Sequence, residues 1–520
     1  MKKKFLAILL SMISVVSVSF GGCGKEEAEA PDYSDSTLQY DFYGYSAASD
    51  GTWYIDNVKY TAGEDFRTVE RIKEYKNAGM TIYFPQAVAA YYGQDYETSE
   101  TKKALDMAVE AGMDKVIVLD TRIQALSKPS FGTEEQIEEK IKDGTILDEA
   151  GLIGEGKQFA TEAELDAKIA EYMAPYKDHE AFYGVMLGDE PFFYHATNYG
   201  EVYRSIKRVN PDCFIQYNLN PISSAMSVGL LDKLCPPLEE DEGDGMTLEE
   251  KKFFRYEKYI RMFMEATGAD YIQYDQYPLK SADSVDNYYI LGMQLVSKLA
   301  KEYNAEFYFV SQTYGQTDGQ SNPRRLSEAD LYWLNNMSVG FGIKQMSYFT
   351  YWTKSDNNTE HFIDGNSFLT WYGEKTNIYH WMKKIMAEEQ KLAPTILNFD
   401  YTTSKVYMKT PTVFNSMHAL RTLDTAKFTA LKEVGINKEV ALVTELYDDE
   451  KQNYMYMVQN VVDPANKGSK AYQTTVLTFD EEYTHVVKFV KGERSIVKLE
   501  KGGKLTLKHK PGEATYVIPY

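Results

Sequence analysis

The sharpest chemical signal in the sequence is the run Gly184-Val185-Met186-Leu187-Gly188-Asp189-Glu190-Pro191, where two consecutive carboxylates end an apolar stretch and Phe192, Phe193, Tyr194 and His195 follow. Pro191 disfavours the helical conformation at Glu190, so Glu190 is expected to be extended where the chain leaves a strand. Neighbouring side chains on an extended chain point to opposite sides. One carboxylate then faces a pocket, while the other meets a wall or a substrate hydroxyl, an arrangement suited to general acid–base work.

Similar endings recur along the chain: Phe84-Pro85-Gln86, Leu119-Asp120-Thr121-Arg122, Gln216-Tyr217-Asn218-Leu219-Asn220-Pro221, Gln273-Tyr274-Asp275-Gln276-Tyr277-Pro278, Val310-Ser311-Gln312-Thr313-Tyr314-Gly315 and Ser347-Tyr348-Phe349-Thr350-Tyr351-Trp352. Together they make a lining of carboxylates, amides and rings with little positive charge beyond Arg122. A phosphate ligand calls for Arg, Lys or a glycine-rich turn. Carboxylates and amides fork onto vicinal hydroxyls and flat rings cover the C–H face of a sugar, so the lining suits a neutral carbohydrate. Asp189, Asn218, Gln312 and Gln86 are the expected hydroxyl binders, and Trp352, Tyr274 and Tyr277 the expected ring contacts.

These endings need elements to carry them. A phrase of amphipathic helix, glycine stop and apolar strand occurs three times: through Gly79 into 80–84, through Gly112 into 116–119, and through Gly268 into 271–274. Further apolar runs at 42–45, 182–187, 214–217, 307–310 and 343–349 bring the strands to eight, covered by helices as in a parallel sheet. The expected fold class is α/β, a (β/α)8 TIM barrel at 38–395 with loop insertions near 123–160 and 222–250. Its last helix is expected at 377–392, with Pro394 just beyond the end. A doubly wound sheet is the structural alternative. After about residue 395, short alternating runs at 440–446, 454–458, 474–479, 486–490, 495–499, 504–508 and 515–518 predict an all-β sandwich domain at 396–520.

The chain of 520 residues is 43% hydrophobic and 26% charged, with 56 Lys+Arg against 77 Asp+Glu for a net charge of −21. That balance disfavours nucleic acid as a partner. Residues 1–22 have a basic start and an apolar run, a secretory signal, and Phe20-Gly21-Gly22-Cys23 resembles a bacterial lipobox in which Cys23 would be lipidated. A flexible acidic tether is expected at 23–37. The protein is therefore expected on the outer face of a bacterial membrane, lipid-anchored at its N-terminus. Cys213 and Cys235 are either a disulfide pair or unpaired core residues. No Cys/His spacing suits zinc, and no G-x-G-x-x-G or phosphate loop follows a strand. No metal or cofactor is expected, with calcium at the acidic run 239–244 a minor option.

The run 184–191, the phrase 342–352 (GIKQMSYFTYW) and the C-terminal strands together resemble retaining (β/α)8 glycoside hydrolases, particularly β-galactosidase-like members, over most of 38–520. The resemblance implies that Glu190 is the general acid/base, that Asp189 stands where the family has Asn, and that Trp352 lies under the sugar. It also implies a nucleophilic Glu at the end of the seventh strand, where this sequence has Gln312, which cannot form a glycosyl ester. The partner of Glu190 is then Asp275, at the roughly 6.5–9.5 Å separation of an inverting pair, or Asp120, nearer the roughly 5–5.5 Å of a retaining pair. The expected function is an extracytoplasmic glycoside hydrolase acting on a neutral oligo- or polysaccharide. The alternatives are a non-catalytic carbohydrate-binding lipoprotein on a degenerate barrel and a solute-binding protein of a sugar transporter, with which the all-β tail is at odds.

Overall fold

Apolar runs between amphipathic helices become parallel strands in the computed structural model, which describes residues 29–55, 58–226, 229–239, 242–280, 285–315, 324–353, 367–408, 422–423, 427–437, 440–465 and 472–520. The expected signal 1–22, the lipidation site Cys23 and positions 240 and 241 of the acidic run lie outside the described residues. The first half of the chain contributes β1 (Asp41–Gly44), β2 (Thr52–Ile55), β3 (Val58–Thr61), β4 (Val116–Val118) and β5 (Phe182–Asp189). β6 (Phe214–Asn218), β7 (Tyr271–Asp275), β8 (Glu306–Gln312) and β9 (Gln345–Phe349) follow. One parallel sheet has the order β1-β9-β8-β7 and a second the order β4-β5-β6.

Backbone hydrogen bonds link the two sheets at both margins. Leu219 N–H, just past β6, donates to Gln273 O of β7 (2.9 Å). At the other margin, Tyr83 N–H donates to Lys115 O (2.8 Å), while Thr81 and Ile82 N–H both reach Phe42 O of β1 (2.9 and 3.2 Å). The segment 80–84 thus occupies the expected place between β1 and β4, but pairs only through Tyr83 with Val116. Two of its amides converge on one carbonyl, and Pro85 follows without an amide to continue a ladder.

The covering helices start where capping chemistry says they should. Thr68, Ser99, Thr247, Ser327 and Thr376 each accept a backbone N–H from the first turn of Val69–Asn77, Glu100–Glu110, Leu248–Thr267, Glu328–Gly340 and Asn377–Ile396 respectively. The last of these extends beyond its expected end at residue 392 and takes in Pro394. Proline forfeits its own N–H bond to the carbonyl four residues back, and Pro394 O, one of the last-turn carbonyls without a helical donor, accepts from Asn398 Nδ2 (2.7 Å). The hairpin β2–β3 was not expected, because β3 is exposed at every position and so has no alternating apolar pattern.

The C-terminal part is antiparallel throughout: β10 (Asp400–Met408), β11 (Leu431–Ile436), β12 (Val440–Asp448), β13 (Asn453–Asn460), β14 (Gln473–Phe479), β15 (His485–Val490), β16 (Glu493–Lys498), β17 (Lys504–His509) and β18 (Ala514–Pro519). A six-stranded sheet, β10-β12-β13-β18-β15-β16, and a three-stranded sheet, β11-β14-β17, enclose a core including Val443, Tyr456, Val458, Leu477, Phe479, Leu505 and Val517. β10 escapes an apolar reading because its buried positions include Thr403 and Ser404; Ser404 is buried by a hydrogen bond from Gln294 Nε2 (2.9 Å).

The two parts share one hydrophobic core, in which Met455, Met457, Phe489 and Tyr516 of the antiparallel sheet join Trp333 and Tyr348 of the α/β part. Trp333 Nε1 donates to Val461 O (3.1 Å), and the buried Arg324 bonds both Asp330 and Asp463. Residues 29–37, expected to belong to a flexible tether, lie against the C-terminal sheet. Tyr33 is buried, packs on Phe399 (5.4 Å between rings), and donates to Asp448 Oδ2 (2.7 Å); Lys451 Nζ donates to Asp32 O (2.6 Å). The buried Tyr33 ring, with a partner for its hydroxyl, and hydrogen bonds from Lys451 and Arg494 to backbone carbonyls fix this stretch, whatever its acidic composition.

Candidate functional site

The site is built where β5, β6 and β7 end side by side. The β5–β6 register pairs Asp189 with Asn218, and the link from Leu219 to Gln273 brings the end of β7 alongside. Along β7, Gln273 turns inward to Tyr43 (Gln273 Nε2 to Tyr43 hydroxyl, 3.1 Å), so Tyr274 faces the helices and Asp275 faces inward again. Asn218 Nδ2 donates to Asp189 Oδ1 (3.1 Å) and to Asp275 Oδ1 (3.0 Å). The two accepting oxygens therefore lie within about 6 Å of each other.

Glu190 departs from the extended conformation expected of a residue before proline. Its φ is +45°, in the left-handed region. Contacts on both sides hold it there: its N–H donates to Asn218 O (2.8 Å), and Pro191 O accepts from the Tyr259 hydroxyl (2.8 Å) and Asn220 Nδ2 (3.1 Å). A non-glycine residue in this region costs on the order of 1 kcal/mol or more, and such strain clusters at functional sites.

Charge accumulates in this corner. The Glu190 side chain is open to water. The surrounding protein mass first, and the Asp189 charge second, push its carboxyl up to about 7, with Lys128 pulling the other way. Burial likewise holds Asp275 well above its ordinary value, reinforced by Glu190 and Asp189 and opposed by hydrogen bonds from Tyr277 and Asn218. Lys128 Nζ donates to Asp189 O (2.6 Å). Beside Asp275, the half-buried Tyr277 stacks on Phe349 (5.5 Å) and meets Tyr314 edge-on (5.3 Å), and Phe349 abuts Tyr45 (6.0 Å). Carboxyl groups and an aromatic wall thus lie together.

Other expected site residues lie elsewhere or are otherwise engaged. Asp120 is fully buried and caps the helix Thr121–Ser127. Its Oδ1 accepts from Arg122 N and Nε (both 3.0 Å), and its Oδ2 from Arg122 Nη2 (2.7 Å) and the Tyr176 hydroxyl (2.9 Å), so it stands as an ion-paired cap. Gln312 is a clamp: Oε1 accepts from Leu279 N (3.0 Å), and Nε2 donates to Leu279 O (3.0 Å) and Tyr314 O (3.2 Å). Gln86 accepts from Ser46 Oγ (3.0 Å) at a backbone φ of +55°. Tyr274 packs on Phe307 (5.7 Å) and Phe309 (5.2 Å), away from the carboxyl cluster.

Trp352 is buried against Phe66 (5.0 Å), and its Nε1 donates to Trp371 O (3.3 Å), which leaves the residue 2% exposed. His195 bridges Phe192 N and Pro129 O, and burial lowers its proton affinity to about 4, leaving it neutral. Cys213 and Cys235 are free and buried, which removes the disulfide. Among the described residues, no group of His, Cys, Asp and Glu is placed to hold a metal ion, and no helix is long and apolar enough to cross a membrane.

Lys128, Phe349 and Tyr45 were missed. Lys128 had no signal beyond a lone Lys-Pro pair after a helix, whereas Phe349 and Tyr45 end apolar strands and are marked only by position.

No protein-family model and no curated protein matches the chain. Among solved structures, a glucosidase from Croceicoccus marinus is similar at 10% identity and TM-score 0.38, over 93% of this chain and 96% of that one. A glycoside hydrolase family 5 protein from Bacteroides vulgatus is similar at 11% identity and TM-score 0.41, over 93% and 89%. A family 30 subfamily 8 xylanase from Clostridium acetobutylicum is similar at 10% identity and TM-score 0.37, over 94% and 98%. Scores at this level leave the functional reading to the site itself.

Proposed function

We propose that the chain is a glycoside hydrolase on a (β/α)8 barrel, acting on a neutral oligo- or polysaccharide, and that the mouth formed by the ends of β5, β6 and β7 is its active site. The observation that carries this reading is the cluster of Asp189, Glu190 and Asp275 around Asn218, beside the wall of Tyr277, Tyr314 and Phe349. The hydrogen bonds joining the two parallel sheets at both margins support the barrel. Glu190, with its proton retained near neutrality, protonates the glycosidic oxygen as the bond to the anomeric carbon breaks. Asp275 takes a proton from the water that attacks that carbon. Burial opposes the basic form of Asp275, and a protonated Glu190 removes the next largest cause of its raised proton affinity.

The non-catalytic alternative, a carbohydrate-binding barrel, is favoured by one observation, the engagement of Gln312 where the resemblance calls for a nucleophile. In either reading Cys23 carries the lipid and holds the protein on the outer face of the membrane. Glu190→Gln is expected to lower hydrolysis of aryl glycosides and oligosaccharides by about 10²–10⁴-fold with an unchanged melting temperature. A wild-type protein that turns over nothing on a broad panel, yet binds glycans, selects the alternative.

A further inference from the structure

Charge is distributed unevenly along this acidic chain. Residues 485–510, which include β15, β16 and β17, carry eight Lys and Arg against two carboxylates, Glu493 and Glu500, within a chain of net charge −21. Elsewhere cations commonly meet a carboxylate, as Lys102 meets Asp106 (2.7 Å) and Lys168 meets Glu171 (2.6 Å). None of these eight forms an ion pair among the described residues, while Glu493 is taken by Lys391 of the helix Asn377–Ile396 (2.6 Å).

These cations share one margin of the sandwich. β16 is an edge strand of the six-stranded sheet and β17 of the three-stranded sheet, and the short connection 499–503 joins them. At the far ends of the two strands Lys491 and Lys508 line the same cleft, so β16 and β17 run side by side. Along β17, Leu505, Leu507 and His509 turn inward, which leaves Lys504 and Lys508 pointing out. Along β16, Arg494, Ile496 and Lys498 share one side, and Ile496 is 52% exposed. The N-terminal segment passes here, where Arg494 Nη2 donates to Pro31 O (3.2 Å). An apolar side chain set between cations suits a surface that rests among lipid headgroups; a soluble polyanion has no use for it.

We propose that this margin lies against a bilayer with anionic headgroups, its cations meeting the phosphates and Ile496 dipping below them. The choice of a bilayer as partner rests on the lipid proposed for Cys23, shortly before the segment that Arg494 holds; the contact itself requires neither that lipid nor hydrolysis at the mouth. The rest of the chain is acidic and is repelled by the same surface, so one face alone is selected. Each Lys or Arg near such a surface strengthens the partition about fivefold, and salt screens the effect away.

Co-sedimentation with vesicles tests it, using the protein from residue 24 onward, which keeps every described residue and lacks the lipid. Binding to phosphatidylcholine vesicles carrying roughly 30% phosphatidylglycerol is expected to exceed binding to pure phosphatidylcholine at least about tenfold at low salt, and to vanish at about 0.5 M salt. Lys498→Gln, Lys501→Gln and Lys504→Gln combined should weaken it at least about tenfold with an unchanged melting temperature. Lys73→Gln, Lys142→Gln and Lys298→Gln combined, on helices of the α/β part, should leave it as in wild type. The proposal is overturned if the two kinds of vesicle bind alike, if the first triple variant binds as well as wild type, if the second binds as poorly as the first, or if the protein binds soluble alginate and not the vesicles, which would make the partner a polyanionic chain.

Discussion

The proposed role of Glu190 requires a carboxyl that holds a proton at neutral pH and is reachable from solvent, and its setting meets both demands. Surrounding protein and the Asp189 charge raise its proton affinity to about 7, and Lys128 tempers the effect. A general acid must be protonated, so kcat/KM is expected to fall as pH rises through about 7. Asp189→Asn removes a charge that raises Glu190 and moves this alkaline limb to lower pH, whereas Lys128→Met removes the opposing charge and moves it higher. Shifts in the same direction would contradict the assignment. Asp275 carries a stability consequence. Its folded-state proton affinity is raised, so its contribution to stability is present at low pH and is lost as pH rises through its folded pKa. Asp275→Asn is therefore expected to abolish hydrolysis yet raise the melting temperature at pH 8 by roughly 2 °C, with little gain at pH 4, as calorimetry would record.

Strand β5 sets the direction of both carboxylates at its end, and Gly188 lets it pass the helix Ala196–Val209. A methyl group at Gly188 would collide with the Tyr199 hydroxyl, which is buried without a hydrogen-bond partner. Gly188→Ala should displace Asp189 and Glu190 and lower kcat on the order of 100-fold, and adding Tyr199→Phe should restore part of the loss; an inert Gly188→Ala would show that the strand end tolerates the shift.

The strands that carry the site were legible because they are buried on both faces and read as unbroken apolar runs, as at 182–187 and 271–274. β3 and β10 were not, one being exposed throughout and the other burying hydroxyls. At strand ends, residue type alone could not separate Asp120 from Asp275. Arg122 two positions on marks the first as an ion-paired cap, while Asp275 is followed by Gln276-Tyr277-Pro278 with no cation. Alternation also separates Tyr274 from its neighbours, since Gln273 and Asp275 cannot face inward unless Tyr274 faces out. Past the last paired residue that parity lapses, and with it the means to foresee that Trp352 turns into the core.

At the scale of the molecule, the α/β part and the antiparallel part hold a core in common, closed by the buried Arg324, Asp330 and Asp463. One calorimetric transition is expected, and a fragment ending at residue 395 should be recovered insoluble or without near-ultraviolet ellipticity, because it would strip Trp333 of its partners Val461 and Gln459; a folded, soluble fragment would show that the shared core is dispensable. The docking of Tyr33 on Asp448 and Phe399 bears on how the molecule would stand. Phe399 O accepts from Lys344, just ahead of β9 (2.6 Å), so the docked segment lies at the end of the parallel strands where they begin. A lipid on Cys23 would leave only eight residues to Pro31, a leash of at most about 30 Å. Held that closely by its base, the protein would keep its carboxylate mouth facing away from the bilayer, grazing on glycans from the medium while headgroups beneath it stay out of reach.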